Sequence, residues 1–401
     1  MDDKLLANYN RAPVTIVRGE GCYLFDDEGR RYLDFIAGIA VVALGHCHPW
    51  ISDAISQQAR TLVHASNLYH HEPAGTLARE LVARSGLARA FFCNSGTEAN
   101  EAAIKLARKR AYRNGEKDRI KILACTGSFH GRTYGSLAAT ANESYREGFG
   151  PMLEGFAFTP FNDLAALDKS LDDTVAAFIV EPVQGESGVH PATPEFLAMA
   201  RHLCDKRGAL LIFDEIQCGM GRLGPLFAFQ RFKITPDVVT MAKALANGLP
   251  IGAMLVAESA ADALRPGDHG STFGGSPVPC AAGLAHLRVR DAIDLESYVG
   301  IREVQFMARL ADLALAFPNI VAGLRGMGLL CALPLNEKYA AADVVAALRD
   351  HGLLVGTAGG NSLRFAPPLV LSEENIDEAY EALYDVFSHI DDASKVTAAA
   401  T

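Results

Sequence analysis

A lysine set among apolar residues is the first group in this sequence that could do covalent chemistry. Lys243 is the only charged residue in VVTMAKALANGLPIGAMLV, residues 238–256. Burial disfavours an ammonium, and the neutral amine that results can attack a carbonyl carbon. A lysine that snorkels to solvent or caps a helix would also explain the residue. One strand spacing earlier, Asp214 ends the apolar run LLIF and precedes Glu215. A carboxylate at that place could ligate a metal, cap a helix, join a buried ion pair or face a cationic ring.

Three further stretches carry polar groups next to glycines. In FFCNSGTEANEAAIKLARKRA, residues 91–111, a strand runs into a long helix with Glu98 placed as in a capping box. Ser95, Gly96 and Thr97 there offer hydroxyls, close backbone approach and a helix N-terminus to a phosphate, although any capped helix begins similarly. No GxxxxGK[ST] motif occurs, so nucleotide phosphoryl transfer has no support. SFHGRTYGS, residues 128–136, presents Phe129 and His130 as flat faces and Arg132 as a carboxylate fork, or is simply a glycine-rich turn. HGSTFGGSP, residues 269–277, places Ser271 and Thr272 among glycines in what could be a flexible loop. A buried lysine, a strand-end carboxylate, a phosphate cradle, an aromatic face and a carboxylate-binding arginine are together the parts that pyridoxal 5'-phosphate requires.

Short β-rich runs at 89–95, 120–126, 176–183, 209–216 and 236–242 alternate with helix-like stretches. That order predicts an α/β domain on a mostly parallel sheet, whose ligands bind at the carboxyl ends of the strands. Residues 14–35 predict a hairpin turning at DDEG, and the apolar run FIAGIAVVALG, 35–45, predicts a core element. After about residue 281 helices carry a few strands. The expected division is an N-terminal arm, 1–50, a large domain, 51–280, and a smaller α+β domain, 281–401, to which the arm contributes. The tail SKVTAAAT, 394–401, is expected to fray.

A net charge of −10 gives no basic surface for nucleic acid or anionic lipid and leaves small-molecule partners. No apolar run reaches the roughly 20 residues of a membrane helix. The opening MDDKLLANYN lacks an apolar leader core, and eight scattered cysteines without a CxxC pair suggest reduced thiols, so a cytoplasmic address is expected. GHCHP at 45–49 and His70–His71 lack the spacing of a tetrahedral site, and no metal is expected.

The chain resembles the class III (ω-amino) aminotransferases, which are fold-type I pyridoxal-phosphate-dependent transferases, and is most similar to the N-acetylornithine aminotransferases. YLDFIAGIAVVALGHCHP, NSGTEANEAAIKLAR, SFHGRTYGSL, VEPVQGESGV, LLIFDEIQCGMGRLG, DVVTMAKALANGLPIGAML, HGSTFGGSP, LRGMGLLCAL and LRFAPPL follow in family order along nearly the whole chain.

The resemblance implies that Lys243 holds the cofactor aldehyde as a Schiff base and moves a proton once substrate frees it. It implies Asp214 on the pyridine nitrogen, Gln217 near the phenolic oxygen, Ser95, Gly96 and Thr97 on the phosphate, and Phe129 on the ring. Thr272, beside the substrate-site residue Ser271, would reach the phosphate from the partner subunit of a homodimer. Arg132 would hold the α-carboxylate of acylornithine. Glu186 would mask Arg364 until the α-carboxylate of glutamate or 2-oxoglutarate needs it. The implied reaction converts N2-acetyl-L-ornithine and 2-oxoglutarate to N-acetyl-L-glutamate 5-semialdehyde and L-glutamate, in arginine biosynthesis. Succinylornithine, succinyl-diaminopimelate, ornithine or 4-aminobutyrate are alternative donors, and a racemase or aminomutase uses the same lysine and aspartate. Ser187, Asn247, Ser276 and Val278–Pro279 depart from the usual family residues.

Overall fold

Buried apolar strands dominate the centre of this computed structural model, which describes residues 4–399, with side chains to residue 393. Seven strands form the main sheet in the spatial order Arg89–Cys93, Gly252–Val256, Val238–Met241, Leu210–Asp214, Val175–Val180, Lys121–Cys125, Phe156–Thr159. All neighbouring pairs are parallel except the two made by Gly252–Val256. The expected mostly parallel sheet is therefore present. VAAFIV at 175–180 and LLIFD at 210–214 are buried at every position, as strands covered on both faces must be.

Helix Gly96–Arg113 lies on this sheet through Ala99, Ala102, Ala103, Leu106 and Ala107, whose small side chains admit a close approach. Helix Pro277–Ala292 packs against helices Pro49–Thr61 and Glu72–Ser85. The expected division at 280 falls inside this helix, which also packs against helix Leu295–Ala316.

Two smaller four-stranded sheets complete the architecture. One joins Ile16–Glu20, Tyr23–Asp26 and Arg31–Asp34 to Leu353–Leu354, so the N-terminal arm pairs with the last third of the chain. The predicted hairpin is thus a three-stranded meander, with a second turn at Gly21–Cys22. The other sheet, Arg325–Met327, Leu330–Pro334, Ser362–Phe365 and Gly356–Ala358, carries Arg364.

The run 35–45 is not a regular core element. It kinks through positive φ at Ala37, Gly38, Ile39 and Ala40, leaving Ile39 exposed while Val41 reaches the central cavity. The final helix, Glu373–Ala399, takes in residues 394–399 of the tail, where no Gly or Pro interrupts it. Residues 400–401 lie outside the described residues. No described helix is long and apolar enough to cross a membrane.

Candidate active site

Strand ends meet at a cavity of about 380 Å³, within the size range of small-ligand sites. Its wall includes Ser95 after Arg89–Cys93, Phe129 after Lys121–Cys125, Glu181 after Val175–Val180, Asp214 at the end of its own strand, and Lys243 after Val238–Met241. Five of the strands thus deliver four polar side chains and one aromatic ring to one edge of the sheet.

Lys243 opens a single 3-10 turn, Lys243–Ala246, with φ 43°, and Asn247 closes the turn with φ 48°. Both are in the left-handed region, which costs a residue with a Cβ of order 1 kcal/mol but is tolerated best by Asn. Asn247 offsets that cost through its amide. Oδ1 accepts the Leu44 N–H at 2.7 Å, and Nδ2 donates to the Gly45 carbonyl at 3.0 Å. The departure from the usual glycine is therefore a staple between the lysine turn and the N-terminal arm. Burial holds the Lys243 amine below the ordinary lysine range, against the opposing charges of Glu186, Asp214 and Glu181.

Asp214 is buried and oriented from several sides. Its Oδ2 accepts Asn100 Nδ2 at 2.7 Å and faces His130 Nδ1 at 2.8 Å, while Oδ1 accepts the Ile216 N–H at 3.1 Å. His130 is consequently committed to Asp214 and is not a free stacking face; Phe129 remains for that role. Glu215 serves the fold instead, accepting the N–H groups of Ala228 and Phe229 at 2.6 and 2.7 Å.

Ser95 is the N-cap of helix Gly96–Arg113, its hydroxyl oxygen accepting the Glu98 N–H at 3.3 Å. The N–H groups of Gly96 and Thr97 lie in the first turn and have no intrahelical acceptor. A Cβ on Gly96 would stand 2.7 Å from Ile216, so only glycine lets this helix end close on the segment after Asp214. The Thr97 hydroxyl is engaged with Thr133 and Ser136, at 2.7 and 2.5 Å, which leaves its backbone N–H as the group available to a ligand.

Glu186 accepts Arg364 Nη1 at 2.5 Å and Gln217 Nε2 at 3.0 Å on the same oxygen, Oε1. Burial opposes ionisation of Glu186, but Arg364 and Lys243 outweigh it and hold the carboxyl below its ordinary range. The Arg132 guanidinium lies 3.7 Å from the Tyr145 ring centroid and 5.8 Å from that of Phe129, and pairs with no carboxylate among the described residues.

Sequence reasoning passed over Glu181. It belongs to the quoted VEPVQGES, lines the cavity, and accepts the Phe129 N–H at 2.9 Å. Burial, reinforced by the Asp214 charge, pushes its carboxyl well above the ordinary range. A glutamate one residue past a fully apolar strand was the available signal.

Of the expected site residues, Ser95, Gly96, Thr97, Phe129, Arg132, Glu186, Asp214, Gln217 and Lys243 line the cavity, and Arg364 joins them through Glu186. Ser271 and Thr272 do not. Ser271 is held by Asn94 Nδ2 at 3.2 Å, behind the phosphate-cradle segment, and Thr272 is exposed. His46 of GHCHP pairs with Asp34 at 2.8 Å, a structural contact.

The donor set fits pyridoxal 5'-phosphate. The cavity offers two helix-terminal N–H groups for an anion, a buried carboxylate for a protonated ring nitrogen and an amine for an aldehyde. Gln217 Oε1 is also buried without a partner, a polar atom that a bound ligand can satisfy.

Residues 6–387 match the family model for aminotransferase class-III. The acetylornithine aminotransferase of Methanocaldococcus jannaschii is 45% identical over 95% of this chain and 95% of its own length. That of Caldanaerobacter subterraneus subsp. tengcongensis is 46% identical over 96% and 98%. An ornithine aminotransferase structure from Toxoplasma gondii ME49 superposes with a TM-score of 0.94 at 34% identity, covering 97% of this chain and 94% of that one. Another Toxoplasma gondii ornithine aminotransferase structure has PLP at partial occupancy in its active site.

Proposed function

The chain belongs to the class-III aminotransferases, and on that footing we propose that it transfers the terminal amino group of N2-acetyl-L-ornithine to 2-oxoglutarate. The products are N-acetyl-L-glutamate 5-semialdehyde and L-glutamate, a step of arginine biosynthesis. One observation carries the substrate reading: the cavity is served by two arginines in different states, Arg132 without a carboxylate partner and Arg364 masked by Glu186. A donor that presents its α-carboxylate far from the reacting amine suits Arg132. Glutamate, whose amine and α-carboxylate share one carbon, suits Arg364 once Glu186 withdraws. The curated relatives named above act under the same name.

Pyridoxal 5'-phosphate, when bound, supplies an electron-withdrawing ring that stabilises negative charge on the carbon losing its proton. The backbone N–H groups of Gly96 and Thr97 would hold its phosphate, joined by the Ser95 hydroxyl if it turns from Glu98 Oε2, to which it now donates at 2.8 Å. Asp214 would face the ring nitrogen, Phe129 the ring plane and Gln217 the phenolic oxygen. The Lys243 amine would hold the cofactor through its aldehyde and, when freed, would accept and return the proton at the substrate carbon. Burial holds that amine below the ordinary lysine range, which favours the uncharged form able to attack a carbonyl.

The active assembly is a homodimer in which Thr272 completes the partner's phosphate site, a reading supported by its exposure outside its own cavity. Val63, Leu68, Tyr69 and Phe273, large and exposed near that loop, suit a covered face. The setting is cytoplasmic, in keeping with eight unpaired cysteines. Single half-reactions with acetylornithine, succinylornithine, ornithine and 4-aminobutyrate test the donor. The largest kcat/KM is expected for acetylornithine, and a clear preference for another donor overturns the reading.

A further inference from the structure

Asn100 is a polar side chain where helix packing calls for a small apolar one. It is fully buried on helix Gly96–Arg113, among Ala99, Ala102, Ala103 and Ile104. A buried amide is costly unless its hydrogen-bonding capacity is used, and alanine would pack there without that requirement.

Its bonds are used. Thr240, fully buried on the strand beside Asp214, donates its hydroxyl to Asn100 Oδ1 at 2.8 Å. Asn100 Nδ2 donates to the His130 carbonyl and to Asp214 Oδ2, each at 2.7 Å. The orientation of the amide follows from these partners, because the carbonyl of His130 can only accept. Thr240 also binds the Asp214 segment through its backbone, its carbonyl accepting the Glu215 N–H at 3.0 Å.

From this geometry we infer that Asn100 is a positioning residue for Asp214: with His130 it occupies Oδ2 and fixes the carboxylate rotamer, so that Oδ1, which accepts only the Ile216 N–H, keeps a lone pair for a ligand. Asn100 also lies one turn after Gly96. A single rigid helix turn therefore sets the distance between the anion-binding N–H groups and the carboxylate, the two ends of one flat ligand. His130, the neighbour of Phe129, meets the same Oδ2 through Nδ1 at 2.8 Å, and Asn100 ties the backbone of that residue to the carboxylate as well.

The inference rests on the cofactor reading above, and the test separates the two. Wild-type holoenzyme is first treated with borohydride and digested, which should fix the cofactor on Lys243. Asn100→Ala should then still be labelled at Lys243, while the pH midpoint of its bound-cofactor absorption moves and its half-reaction with acetylornithine slows about 10- to 100-fold. Thr240→Val, which removes only the hydroxyl that orients the amide, should move both readouts in the same direction by less. In an Asp214→Ala background, adding Asn100→Ala should cost less than about twofold, because the residue acts through that carboxylate.

A lowered melting temperature with an unchanged absorption midpoint and half-reaction rate overturns the inference and leaves a packing role. A full loss that persists in the Asp214→Ala background overturns it as well. A wild type that takes up no cofactor overturns the cofactor reading and the inference together.

Discussion

Arg364 Nη1 donates to Glu186 Oε1 at 2.5 Å, and Gln217 Nε2 donates to the same oxygen at 3.0 Å. One carboxylate oxygen therefore joins a substrate-facing cation to a side chain assigned to the cofactor. Removing the carboxylate leaves a buried guanidinium without its counter-charge, a change that costs several kcal/mol in buried pairs.

Glu186→Ala should consequently redistribute activity between the two halves of the reaction. The ratio of kcat/KM for glutamate to that for acetylornithine, taken from single half-reactions, should rise about tenfold or more as Arg364 becomes permanently available. Equal losses on both substrates would remove the masking role.

Arg132 is oriented by Tyr145 at 3.7 Å. A cation–π contact contributes about 0.5–2 kcal/mol, so Tyr145→Ala should raise KM for acetylornithine about 3- to 30-fold, while Tyr145→Phe, which keeps the ring, stays near wild type. KM for 2-oxoglutarate should hardly change. A matching rise for both substrates counts against the assignment of Arg132 to the donor.

Burial holds the Lys243 amine below the ordinary lysine range. Carbonyl capture by the apoenzyme should therefore remain fast at pH values where a free lysine, with a pKa of about 10.4, is almost wholly protonated. Rate against pH for reconstitution measures this, and a midpoint at the free-lysine value would refute it. Lys243→Ala should abolish borohydride fixation and lower turnover by several orders of magnitude.

His286 lies on helix Pro277–Ala292 with both ring nitrogens buried and unpaired, and burial pushes its pKa down to about 3. The Ala244 carbonyl faces it, outside hydrogen-bond geometry. The folded protein therefore resists a proton that the unfolded chain accepts near pH 6.5. Stability from this group is complete above that pH and falls on acidification by about 1.4 kcal/mol per pH unit between 6.5 and 3. His286→Leu should flatten this limb in denaturant titrations at pH 7, 6 and 5. An unchanged slope would show that the histidine is solvated.

Much of the site was legible because strand ends have a sequence signature. An apolar run that stops at a charged or hydroxyl-bearing residue located Ser95, Asp214 and Lys243, since a buried strand can expose such a group only at its edge. The sheet order and the single antiparallel strand were not legible, because pairing is decided by which neighbours cover each strand. Asn247 could not be interpreted from its surroundings, its partners being the backbone of Leu44 and Gly45, some 200 residues away. Asn100 was hidden for the same reason: helix periodicity marks it as inward-facing without saying what it meets. The irregular course of residues 37–40 also escaped a reading based on hydropathy, which registers burial and is blind to φ.

The pairing of Leu33 with Leu353 has a consequence for biosynthesis. About 320 residues must leave the ribosome between these partners, which at 5–20 residues per second takes on the order of tens of seconds. Throughout that interval the strand Arg31–Asp34 presents an unpaired edge on the nascent chain. The main sheet, complete by Val256, can close well before the arm finds its partner. The enzyme's vulnerable period during synthesis thus belongs to its first strands, which are among the last to be secured.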